Sequence, residues 1–123
     1  MAPMAATVAA DSAMDNVIAH IQSFPDTPAP VTVQGDVARG EELYGICAYC
    51  HGVEGQGIQA MNAPRTAGMT DWYLVRQIQN FKSGVRGSHL SDYYGFQMNL
   101  LAANLQDDQA INDLVAYINT LGK

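Results

Sequence analysis

Cys47-Ala48-Tyr49-Cys50-His51 sets two thiols three residues apart, with an imidazole directly after them. On one helical turn the two thiols share a side. There they can add to the two vinyl groups of a porphyrin, leaving the next residue beneath the ring with an imidazole nitrogen toward iron. Other uses of these residues need more than the sequence offers. A thioredoxin-like redox pair requires a βαβ setting, and no convincing strand precedes the motif. A zinc site requires a fourth ligand, for which His89 or His20 would have to be recruited. A disulfide between residues three apart in a helix would constrain little. Covalent attachment of one haem c through Cys47 and Cys50, with His51 on the metal, is the chemistry that the spacing fits best.

Three helices are predicted to position this motif. Asp36 can cap a helix running to about Cys47, with Val37, Leu43, Tyr44 and Cys47 inward. Thr70 can cap a second from Asp71 to about Ser83, ended by Gly84, with Leu74, Ile78 and Phe81 as its stripe. A third runs from about Asp107 to Leu121, with Ile111, Leu114, Val115 and Ile118 inward. Between the first two, Gly52 to Gly68 is glycine-rich and lacks a period. The expected class is all-α.

The chain has 123 residues and divides by composition. Residues 1–24 hold an amphipathic helix with Met14, Val17, Ile18 and Ile21 on one face. Residues 25–35 form a stiff linker that contains Pro25, Pro28 and Pro30, three of the five prolines. Residues 36–123 read as the compact domain. An internal repeat complicates this division. Laying Met1 on Met98 matches Ala5, Ala6, Asp11, Ala13, Ala19 and Ile21 to Ala102, Ala103, Asp108, Ala110, Ala116 and Ile118, without gaps and in helical phase. The N-terminal helix therefore reads as an echo of the C-terminal one.

Charge and hydropathy exclude several classes. Twelve acidic against six basic residues give a net charge of −6, which disfavours nucleic acid and anionic membrane surfaces. No run of about 18 apolar residues is present, so no transmembrane segment is expected.

The stretch from Asp36 onward resembles a class I c-type cytochrome, most similar to the domains of the dihaem cytochrome c4-like group. The resemblance rests on Gly40-Glu41-Glu42-Leu43-Tyr44-Gly45-Ile46-Cys47 and the motif completed by His51. Ala63-Pro64-Arg65, Tyr73-Leu74, Gln77-Ile78, Phe81 and Gly84-Val85-Arg86 carry it further. Gly95-Phe96-Gln97-Met98 and Ala102-Ala103-Asn104-Leu105 complete it. It implies helices packed around one haem, with Gly40 and Tyr44 crossing the C-terminal helix at Leu114 and Tyr117. It implies that the Pro64 carbonyl accepts the hydrogen bond of the proximal His51, and that a loop carries Met98 as sixth ligand. It also implies that residues 1–24 are the tail of a preceding cytochrome domain.

Spacing agrees with Met98: Met61 and Met69 come too soon after His51 to reach round to the other face, whereas Met98 lies 47 residues on. His89 as sixth ligand, or a five-coordinate iron, stays open at this level. Around the ring, Trp72, Arg65 and Arg86 are candidates for the propionates, with ordinary surface or packing roles as the alternative. Tyr93, Tyr94 and Phe96 are candidate pocket walls.

With both axial positions filled, such a site moves one electron and does little else. The reading is a periplasmic electron carrier and not an enzyme. Its partners would be redox proteins such as a quinol-oxidising complex, a terminal oxidase or a dehydrogenase, and a homodimer through the N-terminal helix is a further candidate. Any signal peptide is expected to lie outside this chain. The alternatives are a haem sensor or peroxidatic haem with a labile Met98, and a tethering role for residues 1–35. In a domain this small the haem supplies much of the apolar core. The apo chain is therefore expected to be largely unfolded by circular dichroism, and a folded, helical apoprotein would contradict this.

Overall fold

The computed structural model describes residues 11–25, 27 and 30–122. Met1, Ala5 and Ala6 of the repeat lie outside them, as do Asp26, Pro28 and Ala29 of the proline-rich segment and Lys123 at the end of the domain. Among the described residues there are five α-helices in order: α1 Asp11–Gln22, α2 Val37–His51, α3 Asp71–Lys82, α4 Tyr93–Ala102 and α5 Asp108–Ile118. Among the described residues there is no strand, only an isolated bridge between Ile58 and Ala63. Among them no helix is long and apolar enough to cross a membrane.

The domain is built on the crossing of α2 and α5. Gly40 sits buried in α2 where a side chain would run into the Asp113 carbonyl and lie 2.8 Å from the Tyr117 Cβ. Only glycine lets the two backbones come this close. Tyr44, one turn on, packs its ring 5.4 Å from that of Tyr117 and donates its hydroxyl hydrogen to the Gly52 carbonyl at 2.7 Å. The apolar stripe of α5 (Ile111, Leu114, Val115, Ile118) is buried in one core with Tyr44, Leu74, Ile78, Phe81 and Leu105. α3 contacts both α4 and α5 and closes the second side.

Two buried carboxylates tie residues 32–36 to this core. Asp113, 1% exposed, accepts from the Asp36 N–H at 2.8 Å, from Gln109 at 2.8 Å and from the Arg39 guanidinium at 2.7 Å. Asp71, 2% exposed, accepts from the Thr32 hydroxyl at 2.9 Å and the Val33 N–H at 2.7 Å. The Thr32 and Trp72 N–H groups also donate to it. The C-terminal half of the proline-rich linker is thus strapped to the domain.

Several boundaries differ from the expectation. α2 runs through Cys50 to His51 before Gly52, at φ 82°, ends it. Asp36 does cap it, accepting from the N–H groups of Ala38 and Arg39. Thr70 occupies the N-cap of α3 but makes no side-chain capping bond; the adjacent Asp71 takes up backbone donors instead. α5 is shorter than expected at both ends, with Asp107 as its cap. Where α4 stands, the family resemblance implies a loop. It is a helix with no charged residue, capped by Asp92 onto the Gly95 N–H at 2.9 Å, and its apolar residues lie all round, so no period marks it.

α1 forms as expected. Its Met14, Val17, Ile18 and Ile21 remain exposed in a single copy of the chain, with Phe24 just beyond. The face that matches the buried stripe of α5 is not covered by the domain.

Gly40→Ala should destabilise the holoprotein by about 1–3 kcal/mol through overpacking at the crossing, read as a lower urea midpoint; an unchanged midpoint would contradict the crossing. The carboxylates set a pH dependence. Burial raises the Asp71 pKa, but its backbone and hydroxyl donors outweigh burial and the net shift is downward. Asp113 is also lowered, by the Asp36 N–H, then Gln109 against the cost of burial, then Arg39. A lowered carboxylate contributes stability that is present above its unfolded value, about pH 4, and is lost as pH falls through the folded value. Asp71→Asn and Asp113→Asn should each flatten the loss of stability below about pH 4, measured by urea unfolding across that range.

Candidate functional site

His51 is the last residue of α2, so the helix that crosses α5 also delivers the imidazole. It is buried, and its Nδ1 lies 2.8 Å from the Pro64 carbonyl oxygen. As donor to that carbonyl, Nδ1 holds the ring in one orientation and leaves Nε2 for a metal. The carbonyl is brought there by a folded-back loop. The Gly57 N–H donates to the His51 carbonyl at 2.7 Å, Gly55 donates to Gly52 at 3.0 Å, and Thr66 donates to Gly55 at 2.8 Å. Gly57, at φ 79°, passes so close to Pro64 and Arg65 that a Cβ would lie 2.6 Å from the Arg65 nitrogen. Glycine there is a condition for the Pro64 contact.

Cys47 and Cys50 are both unpaired and half-buried. Burial pushes the Cys47 thiol up, partly offset by a backbone hydrogen bond. Cys50 and His51 line one cavity together with Met61, Ala63 and Pro64 from the loop and Tyr94, Gln97, Met98 and Leu101 from α4. One thiol of the pair, a buried imidazole with one nitrogen engaged, and a half-buried thioether from a separate helix thus meet in a mostly apolar slot. This donor set fits a haem c: thiols for attachment, nitrogen and soft sulfur for iron. Among the described residues no group of three or more His, Cys, Asp or Glu side chains is placed to hold a metal ion, so the zinc alternative finds no assembled site there.

The other candidates stand elsewhere in this structure. Arg65 donates from Nε to the Ala67 carbonyl at 2.8 Å. Arg86 donates to Gln77 at 2.7 Å and lies over the Phe81 ring at 4.5 Å. Trp72 is exposed, with its ring edge-on to Tyr73. Phe96 is exposed on α4, and His89 faces Ser91 at 2.7 Å. None of these five is among the residues lining the slot. Tyr94 is. Sequence reasoning sets Met61 aside and passes over Gln97 and Leu101. The last two are explained by α4 being helical, since Tyr94, Gln97, Met98 and Leu101 recur at helical spacing on one side.

Comparisons with known proteins agree with the geometry. The family model described as Cytochrome c matches residues 37–122. The chain is 35% identical to a cytochrome c4 of Pseudomonas aeruginosa over 83 residues, which is 68% of this chain and 37% of that protein. It is 33% identical to cytochrome c-554(548) of Halomonas halodenitrificans over 87 residues, covering 70% of this chain and 96% of the relative. The structure of Acidithiobacillus ferrooxidans cytochrome c4 superposes with a TM-score of 0.63 at 26% identity, over 92% of this chain and 66% of that one. The chain spans about two fifths of the length of the cytochrome c4 relatives it matches.

Proposed function

The chain belongs to the cytochrome c family, with a single domain for one covalently bound haem c, and from that premise we propose that it is a one-electron carrier whose iron is held by His51 and Met98. The observation that carries this is the shared slot: buried His51, oriented by Pro64, and Met98 of α4 line the same cavity as Cys50. When bound there, the haem supplies a reversible one-electron couple. The protein's part would be to hold the iron through two side chains, His51 and Met98. His51 is locked by the Pro64 carbonyl, and Met98 is carried on a helix anchored to the core through Ala102. A thioether favours the reduced metal and raises the potential. With both side chains engaged on the iron no substrate site would be left there, which supports a carrier and not an enzyme.

In the same reading Cys47 and Cys50 make the covalent attachment, the protein works in the bacterial periplasm, and its partners are redox proteins. The net charge of −6 suits partners with basic surfaces.

Residues 1–24 belong to this reading as the terminal helix of a preceding cytochrome unit, joined by the linker at 25–35 to the haem domain at 36–123. Support comes from the repeat and from the exposed α1 face that mirrors the buried α5 stripe. The structural match over 92% of the chain also extends beyond residues 37–122. The apolar face needs a cover, and pairing of two copies through α1 supplies one.

Met98→Ala should abolish the weak far-red absorption band of ferric iron bound to a thioether and lower the potential by more than about 0.1 V. Met61→Ala should leave the band in place. A Met98→Ala protein that retains the band would refute the ligand assignment.

A further inference from the structure

α4 carries Met98, yet it buries little of itself. Of its ten residues only Ala102 is buried, while Tyr93, Tyr94, Phe96 and Leu100 are exposed. Apolar burial therefore does little to fix how this helix is turned about its own axis.

Polar and backbone contacts with the end of α3 and the turn after it take over that task. Before α4, Gly87, at φ 74°, passes so close that a Cβ there would lie 2.1 Å from the Gly95 carbonyl oxygen. Beyond α4, Lys82 donates from Nζ to the carbonyl of buried Leu105. Between these, half-buried Asn99 donates from Nδ2 to the Phe81 carbonyl at 2.6 Å. Among the described residues this is the one side-chain hydrogen bond that leaves α4 for another helix. Its acceptor is well placed. Phe81 belongs to the buried core, and its carbonyl lies in the last turn of α3, where carbonyls lack a partner further along the helix. It accepts from the Gly84 N–H at 3.1 Å and has a second lone pair for Asn99.

Resting on the reading of Met98 as the sixth ligand, we propose that Asn99 is a positioning residue for it. Neighbouring residues of a helix point about 100° apart. With Asn99 pinned to the end of α3, Met98 is turned into the slot that it shares with His51. The bond thus sets the rotation of α4 and keeps the thioether on the metal against competing ligands. Without it α4 rolls, Met98 leaves more often, and the sixth position opens to small molecules from solvent.

The test titrates the ferric holoprotein with imidazole, a small ligand that competes with Met98, and follows the haem spectrum. Apparent affinity rises with the fraction of molecules in which Met98 is off the metal. Asn99→Leu is similar in size and lacks the donor, and Asn99→Ala removes the donor with less bulk. Loss of one net hydrogen bond should raise imidazole affinity about fivefold in each. Met98→Ala should raise it more than either. Asp71→Asn, at the opposite end of α3, serves as the control for stability: it should lower the urea midpoint and keep imidazole affinity within about twofold of wild type. An affinity within about twofold of wild type in either Asn99 variant would overturn the positioning role. So would an equal rise in Asp71→Asn, which would reduce the effect to a general loss of stability. If Met98→Ala binds imidazole no more tightly than wild type, the ligand assignment itself fails, and the role of Asn99 with it.

Discussion

The contact on which the rest depends is the close crossing of α2 and α5 at Gly40. Two helices can approach this tightly only where one of them has no side chain, and the Asp113 carbonyl and Tyr117 occupy the space that a larger residue would need. The same stretch of α5 turns the Asp113 carboxylate toward the start of α2, where it holds the Asp36 N–H and Arg39. One crossing therefore fixes both the position and the rotation of α2. Since α2 carries Cys47, Cys50 and His51, the geometry of the attachment motif is inherited from a contact about three helical turns away.

The loop after α2 is built around the helix's last residue. From Gly52 to Thr66 the chain doubles back on backbone hydrogen bonds, and Gly57 lets it pass close enough for the Pro64 carbonyl to meet His51 Nδ1. α4 supplies the opposite set of lining residues and is held to α3 by the Asn99 side chain, which donates to the Phe81 carbonyl at 2.6 Å. The core is thus arranged as a frame of α2, α3 and α5 that leaves an apolar slot between α2 and α4. In a domain this small a large apolar cofactor in such a slot would add to the core as well as supply the chemistry.

Much of this is legible in the sequence. The attachment motif, the crossing residues Gly40, Tyr44, Leu114 and Tyr117, the cap at Asp36, and the pairing of His51 with Pro64 come from residue type, spacing and family resemblance. α4 is not legible, because Tyr93 to Ala102 carries no charge and so shows no polar face to mark a period. Residues 32–35 of the strap fall in the stretch read as linker from Pro25, Pro28 and Pro30. The groups that bind it are Asp71 and Asp113, two carboxylates on other elements, and burial of an acidic residue has no local signature. Arg65, Arg86 and Trp72 illustrate the converse. Their types suit propionates, but residue type does not give position: in this structure Arg65 donates one hydrogen bond to the Ala67 carbonyl and Arg86 one to Gln77, and neither lines the slot. The apolar face of α1 is plain from its spacing, whereas its exposure in a single copy of the chain is not.

The central claim is that this fold exists to hold one haem through Cys47 and Cys50, with His51 set on the metal by the Pro64 contact. Acid–acetone extraction of the purified holoprotein, coupled to mass spectrometry of the peptide spanning residues 40–65, tests it most directly. The account predicts that the haem stays with the polypeptide, one per chain, on a peptide that contains both cysteines. Haem that extracts into the acetone, leaving Cys47 and Cys50 as unmodified thiols, would contradict it.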